Sequence, residues 1–296
     1  MTLQHPPTFQ EIAVADPAAG PYGITTGPDG AQWFTLVHGD AIGRIGPGGE
    51  VALHPLTAGS GPTVIVDGPD GALWFTAYGS HRIGRITTGG ALAEFALPTP
   101  SAGPYGIAAG PDGALWFTEI AAGRIGRITT DGEVTEFPLP DATSFPSAIA
   151  AGPDGRLWFT LNQGNAIGTI TTGGDIAMHP LPTEDAAPVG ITAGRDGAMW
   201  FVEIGAGRIG RITVDATVTE FALADPAARP HAIVADPNEG LWFTEWGANR
   251  VGHIGHDGVI REYDLPTARS EPHGLTVTAG GVVWVALEIG ALATSG

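Results

Sequence analysis

The sequence repeats itself seven times, with a period of 41 or 42 residues. One proline and one tryptophan mark each repeat, and seven of the eight tryptophans fall at the same position of the period. The aligned prolines are Pro21, Pro62, Pro104, Pro146, Pro188, Pro230 and Pro272; the aligned tryptophans are Trp33, Trp74, Trp116, Trp158, Trp200, Trp242 and Trp284. Repeats of this length that stack on their neighbours are typical of β-propellers, in which each repeat supplies one blade.

Each repeat contains four short apolar segments separated by turn residues. Between Pro104 and Pro140 these segments read GIAAGPDG, ALWFTE, GRIGRITTDG and EVTEFPLP. The GPDG and TTDG segments have the composition of tight hairpin turns. We interpret the isolated glycine of IGRI as a place where neighbouring backbones approach closely. The pattern therefore predicts an all-β, seven-bladed propeller with four-stranded blades, comprising residues 1–296 as a single domain.

The outermost strand of the blade has a copy that precedes the first complete repeat. This copy is TFQEIAVA, at Thr8–Ala15. We expect it to pair with the C-terminal strands of the last blade and so to close the ring without leaving a free sheet edge. The third strand of the last blade lacks the IGRI motif and reads ALATSG. We therefore expect weaker closure at this point.

Composition excludes several classes of function. The formal net charge of −18 opposes binding to nucleic acid and to anionic membranes, since both require basic surfaces. The chain has no lysine for Schiff-base chemistry and no cysteine for thiolate chemistry. The opening residues, MTLQHPPTFQ, lack the features of a signal peptide, and no stretch resembles a membrane span. We expect a cytoplasmic protein without nucleic-acid or membrane partners.

One position of the repeat varies in a way that suggests a functional site. Strands joined by hairpins alternate in direction, so the loop before the first strand and the loop after the second strand lie on the same face of the ring. The residue after each aligned proline should therefore point toward this end of the central channel. These residues are Tyr22, Thr63, Tyr105, Ser147, Val189, His231 and His273. Two of the nine histidines share this position, in adjacent blades.

Carboxylates accompany His273 in the last blade. Glu271 precedes Pro272, and we place Glu288 at the end of the second strand, in WVALE. Two carboxylates can hold a hard cation such as Mg²⁺, and a neighbouring histidine can act as a general base. A purely structural interpretation is equally open, because acids also end the second strand in other blades, as Glu119, Glu203 and Glu245.

The remaining aromatic and histidine residues give weaker signals. Trp246 is the one tryptophan outside the repeat position, and it could stack on an apolar substrate or cap the ring. The WFT and GRIGRI series recur in most blades, which indicates packing and strand pairing. Seven histidines fall at other positions and are assigned no role: His5, His38, His54, His81, His179, His253 and His256.

The motifs together resemble the virginiamycin B lyase family. The resemblance rests on GPDGALWFTE, GRIGRI and TEFPLP in the repeats and, more specifically, on PHAI, FTEWGANR, EPHG and ALE near the end. It implies a Mg²⁺-dependent, monomeric enzyme that linearises small cyclic depsipeptide antibiotics of the streptogramin B type by elimination. It also implies that His273 is the proton-abstracting base, that Glu271 and Glu288 are metal ligands, and that His231 contacts substrate.

Two other functions remain open from the sequence. A propeller can bind a peptide or protein at the same face without catalysis, because fold does not determine function. A propeller can also hydrolyse lactones or esters, although that activity typically involves a richer cage of carboxylate and asparagine ligands around Ca²⁺. No such cage is evident in the sequence.

Overall fold

Every regular element of the structure is a short β-strand. The computed structural model describes residues 7–295, and this range contains 28 strands of five or six residues. The strands form seven sheets of four, and all pairings are antiparallel. No helix of the length and apolarity needed to cross a membrane occurs in the described range.

Six of the blades are built from four consecutive strands each. Blade 1 contains β2 (Pro21–Thr26), β3 (Gln32–Leu36), β4 (Ala41–Ile45) and β5 (Val51–Pro55). Blade 2 contains β6 (Pro62–Asp67), β7 (Leu73–Ala77), β8 (Arg82–Ile86) and β9 (Leu92–Ala96). Blade 3 contains β10 (Pro104–Ala109), β11 (Leu115–Glu119), β12 (Arg124–Ile128) and β13 (Val134–Pro138).

The next three blades repeat this order. Blade 4 contains β14 (Pro146–Ala151), β15 (Leu157–Leu161), β16 (Ala166–Ile170) and β17 (Ile176–Pro180). Blade 5 contains β18 (Pro188–Ala193), β19 (Met199–Glu203), β20 (Arg208–Ile212) and β21 (Val218–Ala222). Blade 6 contains β22 (Pro230–Ala235), β23 (Leu241–Glu245), β24 (Arg250–Ile254) and β25 (Ile260–Asp264).

Blade 7 joins the two ends of the chain. It contains β26 (Pro272–Val277), β27 (Val283–Leu287), β28 (Ala291–Ser295) and, as its outer strand, β1 (Phe9–Ala13). The first strands of neighbouring blades contact one another around the whole circle, and β26 contacts β2. The predicted seven-bladed propeller and its closure by the N-terminal strand are thus confirmed.

The divergent end of the chain forms a regular strand. β28 pairs with β1 from Phe9↔Ser295 to Ala13↔Ala291, and it also pairs with β27. Leu292 is fully buried within it. Loss of the IGRI motif therefore does not interrupt the sheet, because the pairing uses backbone groups that every residue here supplies.

The core lies between adjacent blades. The repeat tryptophan and phenylalanine of the second strand are fully buried in blades 1 to 5, and Trp116 of blade 3, for example, packs in one cluster with Phe159 of blade 4. The glycine of IGRI has a different role from the one expected. A Cβ on Gly126 would lie 2.1 Å from the ring of Phe117, its cross-strand partner, so this glycine makes room for an aromatic side chain rather than for a backbone.

Candidate active site at the channel mouth

A ring of side chains surrounds one end of the central channel, which we call the top. It contains the predicted residues after the aligned prolines and also the residues that follow the second strands. The latter are Val37, Tyr78, Ile120, Asn162, Ile204, Trp246 and Glu288. Residues of both sets from blades 1 to 6 line a pocket of about 420 Å³. Its wall is largely apolar and aromatic.

Blade 7 brings two carboxylates and a histidine together at the top. Glu271 lies just before β26, His273 is the second residue of β26, and Glu288 follows β27. Ligand atoms of the three residues lie within 4.8 Å of one another. The backbone N–H of Glu288 donates to the carbonyl of Glu271 at 3.3 Å, which ties the two segments together. The structure thus groups three of the four residues named from the sequence.

The position of Glu288 differs from the one inferred from the sequence. Glu119, Glu203 and Glu245 are the last residues of their strands and are fully buried, whereas Glu288 comes one residue after its strand. Successive side chains of a strand point to opposite faces, so one residue changes the side on which the carboxylate lies. Glu288 therefore occupies the top ring, and the comparison with the other three glutamates was wrong.

His273 is a buried, neutral imidazole. It is 8% exposed, its Nε2 lies 3.2 Å from Glu288 Oε2, and its buried Nδ1 has no hydrogen-bond partner within residues 7–295. Burial lowers the pKa of His273 to about 4, although the charge of Glu271 opposes the shift. At neutral pH the ring can accept a proton or coordinate a cation.

The two carboxylates of the cluster repel each other. The nearby Glu288 carboxylate and partial burial raise the pKa of Glu271 above its ordinary value. The φ of 52° at Glu271 is a feature of the repeat, because the residue before the aligned proline has a positive φ in every blade, as at Phe145, Ala187 and Arg229. Two close carboxylates are electrostatically unfavourable without a cation, and such arrangements are typical of functional sites.

A set of three side chains crosses the channel beside the cluster. The Tyr22 and Tyr105 hydroxyls are hydrogen-bonded to each other, and the Tyr22 hydroxyl lies 3.3 Å from His231 Nε2. The His273 ring contacts two of these side chains, with centroid distances of 4.4 Å to Tyr22 and 4.8 Å to His231. Burial, with a contribution from His273, lowers the pKa of His231 to about 3, so this ring is also neutral. We call Tyr22, Tyr105 and His231 the crossbar.

Threonines of the second strands position most residues of the ring. The threonine of each WFT motif donates to the carbonyl of the residue after the aligned proline in the next blade. These bonds are Thr35 to Thr63 (2.7 Å), Thr76 to Tyr105 (2.6 Å), Thr118 to Ser147 (2.6 Å), Thr160 to Val189 (2.6 Å) and Thr244 to His273 (2.8 Å). Blades 5 and 7 have Val202 and Ala286 at this position and cannot make the bond to His231 and Tyr22.

The structure adds His38 to the site. Its Nε2 lies 2.9 Å from Glu288 Oε1, and its side chain is 59% exposed. The sequence assigned His38 no role, but closure of the ring places blade 1 beside blade 7. Its place directly after the top-ring residue Val37 was the available signal. His54 and His179 instead stack on repeat tryptophans, and His5 lies outside the described residues.

Trp246 lies at the edge of the cluster. Its ring is 6.4 Å from that of His273, and the guanidinium of Arg229 lies over it at 5.4 Å. The tryptophan therefore presents an aromatic surface beside the imidazole, as the sequence suggested. The cation–π contact restrains this ring on one side.

These features define a class: a seven-bladed β-propeller with a carboxylate–histidine cluster at the mouth of its channel. Comparison with known proteins identifies the family within that class. Residues 7–295 match the virginiamycin B lyase family, and the chain belongs to it.

Individual relatives agree with this assignment. The crystal structure of virginiamycin B lyase from Staphylococcus aureus is 43% identical, with a TM-score of 0.95, over 98% of this chain and 99% of that one. Equally similar is a catalytically inactive histidine-to-alanine variant of that enzyme, crystallised with quinupristin. A virginiamycin B lyase from Saccharopolyspora erythraea is 61% identical over 94 residues, which are 32% of this chain and 31% of that relative.

Proposed function

We propose that this protein is a Mg²⁺-dependent carbon–oxygen lyase that linearises streptogramin B antibiotics and so confers resistance to them. The observation that carries the proposal is the Glu271–His273–Glu288 cluster at the top of the channel. Family membership and 43% identity to a virginiamycin B lyase along nearly the whole chain support it. Quinupristin, crystallised with that relative's variant, indicates the substrate class.

The cluster fits a hard divalent cation. It offers carboxylate oxygens from Glu271 and Glu288, which are the ligand atoms that Mg²⁺ prefers. Two carboxylates would fill only part of the coordination sphere and leave positions for water or substrate. The mutual repulsion of the two carboxylates, seen in the raised pKa of Glu271, would be relieved by a positive charge. When bound, Mg²⁺ would polarise a substrate carbonyl and make the adjacent Cα–H more acidic.

His273 is placed to act as the base. In the proposed elimination, its imidazole accepts the α-proton of the esterified threonine. The electron pair of that C–H bond forms the Cα=Cβ double bond, and the Cβ–O bond breaks to release the ester carboxylate. The ring opens, no water is consumed, and the protein holds the proton. His231 binds the substrate beside this point.

The pocket suits a bulky, apolar substrate. Its wall includes Val37, Ile120 and Ile204 from three blades, with the aromatic side chains of Tyr78 and Phe145. Apolar walls with a few polar groups at one side are typical of small-molecule sites. The proposed base, His273, is itself only 8% exposed, and limited access of water to it would favour elimination over hydrolysis.

The mass of the product tests this proposal. Quinupristin is incubated with the protein and Mg²⁺, with and without a chelator, and the product is analysed by mass spectrometry. A linear product of unchanged mass with a dehydrated threonine is expected, formed only without chelator. A product heavier by one water would instead identify a hydrolase, and binding without any product would identify a binding propeller.

Two further properties belong to the proposal. We infer a monomer that acts in the cytoplasm on a small molecule, without nucleic-acid or membrane partners. The net charge of −18 supports the exclusion of polyanionic partners. Light scattering in solution tests the oligomeric state, and a dimer would contradict it.

A further inference from the structure

We infer that Tyr105 is a positioning residue, which holds the Tyr22 hydroxyl and thereby the rings of His231 and His273 in their working arrangement. This inference rests on the proposed function for its kinetic consequence. Tyr105 comes from blade 3, which contributes nothing to the carboxylate cluster of blade 7. Its hydroxyl bonds to the Tyr22 hydroxyl, so we infer that its effect on the reaction passes through the crossbar.

The backbone carbonyl of Tyr105 accepts threonine hydrogen bonds that the carbonyls of Tyr22 and His231 do not receive. Its carbonyl accepts hydrogen bonds from Thr76 Oγ1 at 2.6 Å and from Thr63 Oγ1 at 3.3 Å. Tyr22 and His231 lack the threonine bond, because Ala286 and Val202 replace the donors. Within the crossbar, Tyr105 is thus the member whose carbonyl is bonded by two neighbouring threonines, and the carbonyls of Tyr22 and His231 lack these bonds.

The contacts of Tyr22 carry this restraint to the imidazoles. The Tyr22 hydroxyl meets both the Tyr105 hydroxyl and His231 Nε2, and its ring stacks obliquely on His273 with a 30° interplanar angle. Without the Tyr105 hydroxyl, Tyr22 keeps only the longer contact to His231, at 3.3 Å. Its ring can then rotate, and the surface against which His273 packs moves with it. Small displacements of a base reduce turnover more than binding.

The crossbar also separates two spaces. Tyr22, Tyr105 and His231 line the top pocket and also a cavity of about 290 Å³ along the channel below. They therefore form part of the floor on which a substrate would rest. A substitution that keeps the Tyr105 ring and removes only its hydroxyl leaves this floor in place, so Tyr105→Phe separates positioning from packing.

The kinetic test uses Tyr105→Phe, with Tyr263→Phe as the matched control. Tyr263 lies on the outer strand of blade 6 and contacts Trp242, away from the pocket. With quinupristin as substrate, Tyr105→Phe should lower kcat about tenfold and leave KM within about twofold. The double variant with Tyr22→Phe should be no slower than Tyr22→Phe alone, since Tyr105 acts through Tyr22. Additive losses, or a parental kcat for Tyr105→Phe, would refute the inference.

A second measurement needs neither substrate nor metal. Histidines labelled with ¹³C at Cε1 give one NMR signal each, and those of His231 and His273 are assigned from their alanine variants. Tyr105→Phe should shift both signals, while Tyr263→Phe should leave them unchanged. Unmoved signals in Tyr105→Phe would overturn the positioning role. If the parent protein lacks lyase activity, the proposed function is wrong. The NMR signals of His231 and His273 then still test whether Tyr105 positions the two rings.

Discussion

At the scale of single residues, the two channel histidines have different surroundings and should have different roles. His273 contacts Glu288, whereas His231 contacts the Tyr22 hydroxyl. Replacing His273 with alanine should lower kcat by about 10²–10⁴-fold, the usual contribution of a general base. His231→Ala should cost about tenfold and mainly raise KM. Steady-state kinetics with quinupristin measure both; the reverse order of effects would exchange the two assignments.

Glu271 should lower the thermal stability of the protein without Mg²⁺, although the proposed metal site requires it. Glu271→Gln removes one of two repelling carboxylates with little change of shape, so we expect an equal or higher melting temperature without Mg²⁺. Calorimetric titration should show Mg²⁺ affinity reduced at least about tenfold, because a charged ligand is lost. Glu184→Gln, at an exposed position, is the control and should change neither. Full activity of Glu271→Gln in the presence of chelator would reject the metal site.

Thr244 fixes the backbone of the proposed base. Its hydroxyl donates to the His273 carbonyl at 2.8 Å, and blade 5 shows that valine fits the same position, as Val202. Thr244 Oγ1 also accepts a hydrogen bond from Ala232 N–H at 3.0 Å. Thr244→Val should therefore fold, lose about 1 kcal/mol of stability for each of the two hydrogen bonds, and lower kcat several-fold. Thr118→Val, which breaks the corresponding bond to Ser147, should lose similar stability with less effect on kcat. Equal kinetic losses would show that the bond acts only on the fold.

At the scale of elements, the last residue of the second strand is a buried carboxyl in three blades and leucine in three others. Burial and the nearby Glu136 raise the pKa of Glu119 to about 8, and Arg124 opposes this only in part. The leucines are Leu36, Leu161 and Leu287. The folded protein thus keeps a proton on Glu119 at a pH where an unfolded carboxyl has released it.

Stability should therefore fall as pH rises. Between the ordinary carboxyl pKa and about 8, the folded state binds more protons than the unfolded state, so the free energy of unfolding decreases with pH. Glu119→Gln removes this cost and should add roughly 1–2 kcal/mol at pH 9 and little at pH 5. Urea unfolding at both pH values measures the difference, with exposed Glu133→Gln as control. An equal gain at both pH values would contradict the explanation.

The same scale shows how far the sequence could predict the molecule. The period of the prolines and tryptophans predicted the blades because six of the seven blades bury the same tryptophan–phenylalanine pair, and blade 7 keeps the tryptophan with Val285 in place of phenylalanine. Glu288 was misplaced because it was grouped with the acids of the other blades without counting from the repeat tryptophan. It lies four residues after Trp284, whereas Glu119 lies three residues after Trp116, so its counterpart in blade 3 is Ile120. His38 was missed because its contact with Glu288 spans the closure of the ring, 250 residues apart in sequence.

At the scale of the whole molecule, β1 holds the ring closed. Besides its pairing with β28, it contributes Glu11, whose carboxylate accepts hydrogen bonds from Thr267 N and Oγ1 at 2.9 and 2.6 Å. The same bridge recurs as Glu136 to Thr99 and Glu220 to Thr183. It therefore ties blade 7 to the end of blade 6, as in other blade junctions.

Removal of residues 1–15 should destabilise the propeller by several kcal/mol, because it uncovers the edge of β28 and removes buried Phe9 and Val14. Thermal unfolding and size-exclusion chromatography should show a lower melting temperature and association through the free edge. Glu11→Gln keeps the strand, weakens the bridge and should cost about 1 kcal/mol. A truncated protein that melts like the parent would show that closure contributes no stability.

The position of the closure also determines when the protein can begin to work during synthesis. β1 leaves the ribosome first and its partner β28 last, so the first strand must wait unpaired while about 280 residues are added, roughly 15–60 s at ordinary translation rates. The residues of the proposed site lie on both sides of the same junction, with Tyr22 and His38 in the first blade and Glu271, His273 and Glu288 in the last. A chain that stops before β28 should therefore show none of the proposed activity, because the two halves of the site come together only when β1 and β28 pair.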